Sequence, residues 1–424
     1  MQTTSAVDIL SNHTADLSWQ RDVYTHLHAN PELSEEERET SSFIADKLRA
    51  MGDFEVHENI GGYGLVGILR NGDGPVVLFR ADMDALPVDE QTGVDFASTK
   101  VSVARDGSRT KVMHACGHDM HMTAGLGAAA IIHNTREHWS GTYIALFQPS
   151  EEKASGASAM IHDGLGRIIP KPDACFGQHV VPGAAGTVMT MPGPALAGCD
   201  TITIELTGRS AHGSMPHNSI DATYLAASIV LRLQGLVGRE VPPHEFGVVS
   251  VGTLQSGNSN NTIPGTARIV LNMRFYSNDV RTTLIDGIER IVRGECIASG
   301  CDSEPVITYS DHGEVTDNST ELFQTIRPVF DAILGDDSID ATAWTASEDF
   351  ADIPRGLGSP YVYWTVGATP REQWDNAVKA DRVVEDIPSN HMSTFIPDYE
   401  PTVAAATTAA AAAVLATLDS RSSS

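Results

Sequence analysis

The feature that most restricts the fold is the alternation of short apolar strands with helical patterns in the first 180 residues. Apolar runs at 76–79, 142–147 and 173–178 have the length of buried strands, and helical patterns lie between them at 119–133 and up to Ile161. Parallel strands need such crossover connections, so this order favours β-α-β units. We therefore predict an α/β fold with a mixed, mostly parallel sheet flanked by helices.

Polar side chains follow each of these strands at the point where the strand ends. Asp82 and Asp84 come after the first strand, Glu151 and Glu152 after the second, and His179 after the third. In α/β sheets, sites form at the carboxyl ends of the strands. Adjacent carboxylates such as Glu151 and Glu152 can also be solvated acids at a helix start, but their place after an apolar strand favours a functional role.

The segment 112–121 concentrates possible metal ligands. Cys116 and His118 are two residues apart, and a thiolate with a neutral imidazole suits a borderline-soft divalent metal. Gly117 between them permits a sharp turn. Two other interpretations stay open: a buried cysteine with histidines that only pack, and a Cys116 nucleophile activated by His118 or His114.

Composition restricts the class of protein. The 424 residues exceed one ordinary core, so two domains are expected, and a formal net charge of −27 argues against nucleic acid and anionic membranes as partners. Five sparse cysteines favour a reducing, cytoplasmic location, and the first residues lack the pattern of a signal peptide. The apolar tract 404–418 is expected to be a C-terminal helix that is too short to span a bilayer.

A change in composition near Met191 marks a second unit. Strands at 200–206, 247–254 and 266–275 and helices at 221–236 and 279–299 predict an inserted α+β domain with polar loops at 208–217 and 258–264. We expect domain segments 1–190, 191–305 and 306–424. Near the amino terminus, a helix is expected over 8–28, and Ser34 with Glu37 has the spacing of a capping box for a helix that ends at Gly52.

Together these segments resemble the metal-dependent amidohydrolases related to carboxypeptidases and aminoacylases. The branch in question contains hippurate hydrolases, N-acyl-amino-acid aminoacylases and plant auxin-conjugate hydrolases. The resemblance covers nearly the whole chain, and its motifs occur in the family's order. They are Phe79-Arg-Ala-Asp-Met-Asp-Ala-Leu-Pro87, His114-Ala-Cys-Gly-His-Asp119, Phe147-Gln-Pro-Ser-Glu-Glu152, Gly177-Gln-His179, Gly208–His217, Asn261-Thr-Ile-Pro264, Ser347-Glu-Asp-Phe350 and Asn390-His391.

The resemblance implies a zinc-peptidase-like domain that holds two divalent metal ions, with an inserted dimerisation (lid) domain and a homodimer. Zinc is favoured, and manganese, cobalt or nickel would also fit. It implies that Glu151 is the general base and that Asp84 orients a histidine ligand. Substrate or its oxyanion would be bound by His212, Asn261 and Arg274, with His212 and Asn261 reaching across the dimer. The implied metal ligands are Cys116, His118, Glu152, His179 and His391.

The implied activity is hydrolysis of N-acyl-L-amino acids to a carboxylic acid and an amino acid, with a metal-bridged water activated by Glu151. Two alternatives stay open: a dipeptidase or carboxypeptidase-type metallopeptidase, and a non-catalytic metal-binding dimer. The chain departs from the usual family pattern at Lys153-Ala-Ser, at Met392 after His391 and at Gly198-Cys-Asp200. These departures leave the ligands intact and put substrate preference in doubt.

Overall fold

The computed structural model describes residues 5–12, 16–103 and 107–419. The chain packs as two compact units. The larger unit contains residues 1–195, 317–342 and 349–424, and the smaller contains residues 196–316 and 343–348.

The helices and strands alternate through most of the described chain. The helices are α1 (Ala6–Asn12), α2 (Gln20–Ala29), α3 (Arg38–Met51), α4 (His118–Asn134), α5 (Gly156–His162), α6 (Leu165–Ile168), α7 (Ala222–Glu240), α8 (Asn278–Ala298), α9 (Thr320–Leu334), α10 (Asp352–Leu357), α11 (Arg371–Lys379), α12 (Val383–Asp386) and α13 (Tyr399–Asp419). The strands are β1 (Glu55–Ile60), β2 (Gly64–Asn71), β3 (Val76–Asp82), β4 (Val101–Val103), β5 (Arg109–Lys111), β6 (Gly141–Gln148), β7 (Ala174–Ala184), β8 (Val188–Thr190), β9 (Gly193–Leu196), β10 (Gly198–Thr207), β11 (Ala211–His212), β12 (Gly247–Ser256), β13 (Thr262–Ile263), β14 (Thr266–Phe275), β15 (Val306–Gly313), β16 (Thr316–Asn318), β17 (Ser338–Asp340) and β18 (Tyr361–Thr369).

An eight-stranded sheet in the order β1-β2-β6-β3-β7-β18-β8-β17 forms the centre of the larger unit. Strand β3 runs parallel to both β6 and β7, and β7 runs parallel to β18, whereas β1, β2 and β6 pair antiparallel. The predicted mixed, mostly parallel sheet flanked by helices is therefore confirmed. Its parallel centre aligns the carboxyl ends of β3, β6 and β7, the edge at which binding groups gather.

Helix α4 is buried along nearly its whole length, because its Ala- and Gly-rich sequence permits close packing. It lies against α13, which is even richer in alanine. Gln20 of α2 ties the two helices together through hydrogen bonds to the Thr123 carbonyl (3.0 Å) and the Thr407 hydroxyl (2.9 Å). This packing fixes the amino terminus of α4, where Cys116 and His118 lie.

The smaller unit is built on an antiparallel sheet in the order β12-β14-β10-β15. Alternate residues of β10 and β14 are buried, and they share a core with the apolar faces of α7 and α8. Asp221 caps α7 by accepting from the N–H groups of Thr223 and Tyr224. The predicted α+β composition of this segment is observed.

Four local expectations need correction. The helix expected over 8–28 is two helices, α1 and α2, with residues 13–15 outside the described part of the chain. The predicted capping box does not form, since Ser34 and Glu37 bond other partners. The inserted segment was expected to end at residue 305, but strand β15, which follows that residue, pairs with β10 in the sheet of the smaller unit. Helix α13 begins before residue 404, and its segment Tyr399–Leu418 is long and apolar enough to cross a membrane. The most apolar part of this segment is 83% buried inside the fold, as in a core helix.

Candidate metal centre and active site

The larger unit brings six of the predicted site residues to the carboxyl edge of its sheet. Cys116 and His118 lie at the start of α4, and Glu151 and Glu152 lie in the loop after β6. His179 lies within β7 and His391 in the loop before α13. Because β3, β6 and β7 are adjacent and parallel, residues far apart in sequence meet here.

Gly117 explains how the turn between Cys116 and His118 is built. It has a backbone φ of 81°, a conformation that residues other than glycine rarely adopt. A Cβ at this position would also lie 2.4 Å from Cγ2 of Val180. The chain therefore needs glycine here for both conformation and space. The Ala115 carbonyl in the same turn accepts from the N–H of His391 at 2.8 Å, which brings the distant histidine to the site.

His118 presents one ring nitrogen to the site. Its Nδ1 lies 2.8 Å from the Asp84 carbonyl oxygen, and a carbonyl can only accept, so Nδ1 carries a proton. Its Nε2 is buried without a hydrogen-bond partner among the described residues, and so is Oε1 of Glu152. These two atoms are 3.8 Å apart. Buried polar atoms normally have partners, so this pair marks a place for a ligand.

Cys116 is shared by two groups of possible ligands. In each group the donor atoms lie within 4.8 Å of one another. The first group is Cys116, His118 and His179, and the second is Cys116, Glu152 and His391. Sulfur, imidazole and carboxylate are the donors that zinc and related divalent ions take. The residues present therefore fit two neighbouring metal ions with one common thiolate.

Hydrogen bonds aim the remaining donors. Nδ1 of His179 donates to the Val180 carbonyl at 2.7 Å, which leaves Nε2 facing Sγ of Cys116 at 3.4 Å. Nε2 of His391 lies 3.3 Å from Oε2 of Glu152. Oε2 of Glu151 lies 3.9 Å from Nε2 of His118, so the Glu151 carboxylate also borders the candidate metal centre.

The electrostatics of the site call for a cation. Burial opposes protonation of His118, yet the Asp82 and Asp84 carboxylates outweigh it and raise the pKa of His118 to about 10. Burial raises the pKa of the Cys116 thiol well above its usual value, and Glu152 adds to this effect. A free thiolate is therefore disfavoured, which counts against the interpretation of Cys116 as a nucleophile activated by a histidine.

Several residues that support the site were not assigned from the sequence. Asp82 accepts from Nδ1 of His121 at 2.6 Å, and the Val180 N–H donates to Nε2 of the same ring at 2.8 Å. Nδ2 of Asn390 donates to the Val180 carbonyl at 3.0 Å and to the Cys116 carbonyl at 3.3 Å. The motifs contained these residues, but only the tertiary structure identifies their partners.

The three residues predicted to bind substrate belong to the smaller unit. His212 on β11 pairs with Thr262 on β13, and the Gly213 N–H donates to the Asn261 carbonyl at 2.6 Å, so His212 and Asn261 are neighbours. Arg274 on β14 donates through Nε to Oδ1 of Asn272 at 2.8 Å and hydrogen-bonds Ser347 through Nη1. Their roles toward a substrate stay predictions.

Comparisons with known proteins agree with this geometry. The family model described as peptidase family M20/M25/M40 matches residues 78–387. A hippurate hydrolase of Campylobacter jejuni is 36% identical over 76% of this chain and 82% of its own length. An N-acyl-L-amino acid amidohydrolase of Geobacillus stearothermophilus is 35% identical over 70% of this chain and 78% of its own length.

A solved structure is also similar throughout. The YxeP protein of Bacillus subtilis, described as a dinuclear metal-binding peptidase of family M20, superimposes with a TM-score of 0.76 at 26% identity. The match covers 95% of this chain and 98% of that one.

The chain belongs to the peptidase family M20/M25/M40. Within that family it is an amidohydrolase, a hydrolase that acts on amide bonds. The resemblance to hippurate hydrolases and aminoacylases is confirmed.

Proposed function

We propose that this protein is a two-metal amidohydrolase that cleaves N-acyl-L-amino acids into a carboxylic acid and an amino acid. The observation that carries the proposal is the membership of Cys116 in two three-donor groups at the sheet edge, with Glu151 beside them. The names of the hippurate hydrolase and the N-acyl-L-amino acid amidohydrolase support this substrate class.

In this proposal the two donor groups that contain Cys116 would hold two divalent ions, and zinc is the favoured metal. When bound, such ions act as Lewis acids and lower the pKa of water toward neutrality. The orphaned atoms Nε2 of His118 and Oε1 of Glu152 support a ligand role for both residues. The dinuclear site described for YxeP supports a stoichiometry of two. The full ligand set is Cys116, His118, Glu152, His179 and His391.

Glu151 is the general base in this mechanism. Its carboxylate takes a proton from the attacking water and later delivers it to the leaving nitrogen, so the amide bond breaks as the amine is protonated. Its backbone is fixed by a hydrogen bond from its own N–H to Oδ1 of Asp84 at 3.1 Å. A purely metal-binding protein would have no need of this second carboxylate beside a ligand.

The smaller unit supplies the substrate-binding groups in our proposal. Arg274 and Asn261 hold the α-carboxylate of the amino acid, Arg274 through a two-pronged hydrogen bond. His212 stabilises the oxyanion. The hydrogen bond from Arg274 to Asn272 supports this role, because it restricts the guanidinium before substrate arrives.

We also propose a homodimer in which His212 and Asn261 complete the partner's site. Strand β12 lies at an edge of its sheet, where its outer N–H and C=O groups are available to another strand. Tyr224 and Leu231, one heptad apart on α7, are 71% and 74% exposed, an unusual exposure for large apolar side chains.

We further propose that the protein is cytoplasmic and that it has no nucleic-acid or membrane partner. The five free cysteines support the cytoplasmic location.

A hydrolysis panel tests the function. Metal-reconstituted protein is given N-acetyl, N-benzoyl and longer N-acyl amino acids, together with dipeptides, and Glu151→Gln serves as the matched control. We expect release of amino acid from N-acyl substrates and near-complete loss in the variant. Faster turnover of dipeptides would favour the peptidase alternative. Absence of turnover on every substrate by metal-loaded protein would contradict the proposal.

A further inference from the structure

The loop that carries Glu151 and Glu152 contains two residues with an unfavourable backbone conformation. Ser150 has φ of 52° and Ala154 has φ of 47°, in the left-handed region that residues other than glycine rarely occupy. Such conformations persist only when surrounding contacts hold them. The conformation of this loop therefore depends on its contacts with neighbouring groups.

Two buried carboxylates accept hydrogen bonds from three consecutive N–H groups of the loop. The Ser150 N–H donates to Oε1 of Glu37 at 2.8 Å. The N–H of Glu151 donates to Oδ1 of Asp84 at 3.1 Å, and that of Glu152 donates to Oδ2 of Asp84 at 3.0 Å. The loop is thus attached at every residue from 150 to 152.

Two further hydroxyl groups complete this arrangement. The Ser34 hydroxyl donates to Oδ2 of Asp84 at 2.6 Å, and the Ser150 hydroxyl lies 3.3 Å from Oε1 of Glu37. Both Ser34 and Glu37 are buried, and Glu37 is fully so. Ser34 and Glu37 have the spacing of a capping box, but their side chains bond Asp84 and Ser150 and not the start of α3.

Another residue caps helix α3 in their place. The carboxylate of Glu32 accepts from the N–H groups of Glu39 (3.2 Å) and Thr40 (2.7 Å) in its first turn. Because Glu32 supplies the cap, Ser34 and Glu37 are not needed for the helix start. Their contacts point to a role in the loop.

We propose that Ser34 and Glu37 are positioning residues for the reaction. Glu37 acts on the Ser150 backbone, and Ser34 acts by orienting Asp84, so that Glu151 and Glu152 keep the spacing that their roles require. This inference rests on the proposed function, which assigns those roles.

The chemistry of Glu37 suggests which substitution preserves its role. Burial, followed by the neighbouring Asp84 carboxylate, raises the pKa of Glu37 to about 7. Ionised or neutral, the group keeps an oxygen that accepts from the Ser150 N–H. Glutamine keeps such an oxygen at the same place, whereas alanine leaves the N–H without an acceptor.

The first experiment measures amide hydrogen exchange in metal-free protein without substrate, so it does not depend on the proposed activity. We expect Glu37→Ala to speed exchange in a peptide covering Ser150–Glu152 by about tenfold, the equivalent of one lost hydrogen bond. Glu37→Gln should stay near the wild-type rate. Glu32→Ala, the matched control that removes the cap of α3, should speed exchange at the start of α3 only.

The second experiment measures turnover of the metal-loaded enzyme. Glu37→Ala should lower kcat by roughly 10- to 100-fold, the usual loss for a partner one contact removed from a metal site, with a smaller change in KM. Glu37→Gln should recover most of kcat, and Glu32→Ala should retain it. Ser34→Ala, a milder change, gives the same test through Asp84 if Glu37→Ala does not fold.

Unchanged exchange at Ser150–Glu152 in both Glu37→Ala and Ser34→Ala would overturn the inference. An equal increase in Glu32→Ala would also overturn it, because the effect would then come from α3 as a whole. Absence of activity in the wild-type enzyme would count against the proposed function alone, since the exchange measurement would still stand.

Discussion

His121 and Asp82 form a buried pair beneath the candidate metal centre, with Nδ1 of the ring 2.6 Å from Oδ1 of the carboxylate. The Val180 N–H, which can only donate, lies 2.8 Å from Nε2, so the ring accepts there and donates to Asp82. His121 also packs beside two proposed ligands, with its ring centroid 5.3 Å from that of His118 and 4.5 Å from that of His179. This pair ties the start of α4 to the end of β3 and to β7.

We therefore expect His121→Ala to weaken metal affinity by roughly 10- to 100-fold, because His179 is the residue before Val180 and loses its support. Titration of metal-free protein with zinc measures this directly. His133→Ala at the other end of α4, where the ring lies 3.3 Å from Asp53, is the matched control and should bind normally. Wild-type affinity in a correctly folded His121→Ala variant would contradict the prediction.

Purified protein is expected to hold up to two divalent ions per chain, and chelation should abolish its activity. Cys116→Ser should lose more metal than Cys175→Ser, because an alcohol replaces the proposed anionic ligand. Cys175 is a buried thiol that belongs to no ligand group within the described part of the chain. Metal analysis of both variants gives the comparison. Active protein that contains no metal would refute the proposed centre.

The stability of the fold should depend on pH through His28. This buried ring lies 2.6 Å from Asp119 and 2.9 Å from Glu90, whose carboxylates outweigh the effect of burial and raise the pKa of His28 to about 10. Because this pKa is higher in the folded than in the unfolded protein, the protonated ring adds to the free energy of unfolding. This contribution is complete below pH 6.5, the pKa of the ring in the unfolded chain, and is lost as the pH rises toward 10. Breaking such a buried pair typically costs about 3–5 kcal/mol.

Denaturant unfolding of wild type and His28→Gln between pH 6 and pH 10 measures this contribution. The wild-type protein should be the more stable at pH 6, and the difference should shrink toward pH 10. His57→Gln, which changes an exposed histidine paired with Glu55, should show little difference at any pH. If the difference in the free energy of unfolding between wild type and His28→Gln stays constant from pH 6 to pH 10, the protonated ring of His28 is not its source.

Complementation tests the proposed exchange of residues across the dimer. His212→Ala and Glu151→Gln should each be inactive alone. Mixed under conditions that exchange subunits, they should recover part of the activity, because one site of each hybrid has both wild-type residues. Heterodimers demonstrated by differential tags that show no recovery would argue against a role of His212 in the partner's site.

The sequence was most informative where the signal was local. The order of strands and helices predicted the mixed sheet, and the two-residue spacing of Cys116 and His118 identified donors that the structure brings together. The end of strand β6 predicted where Glu151 would lie, because parallel strands present their carboxyl ends on one edge. His179 was expected after a strand that ends at residue 178, but β7 continues to Ala184 and His179 lies within it.

The sequence did not predict which distant groups these residues and strands would bond. Ser34 and Glu37 have the spacing of a capping box, but the tertiary structure offers Asp84 and Ser150 as stronger competitors, and Glu32 caps the helix. Residues in β15 carry no local sign that they pair with β10 more than 100 positions earlier. Long-range hydrogen bonds of this kind are decided by packing.

Glu151 and Glu152 give the sharpest test of the mechanism, because they are adjacent and identical yet have different proposed roles. If Glu152 is a ligand, Glu152→Gln removes an anionic donor and should weaken metal affinity. If Glu151 is the base, Glu151→Gln should leave metal and substrate bound, since the amide keeps the shape of the side chain. Metal content and substrate affinity of the two variants are measured side by side.

The kinetic consequence of Glu151→Gln follows from its double use. General acid–base catalysis is typically worth about 10² to 10⁴-fold, and the same carboxylate serves first as base and then as acid, so the loss should lie at or beyond the upper end. It should lie in kcat and leave KM nearly unchanged, because proton transfer matters only in the transition state. Loss of metal from Glu151→Gln but not from Glu152→Gln would reverse the two assignments. Near-normal turnover in fully metal-loaded Glu151→Gln would mean that another group moves the proton.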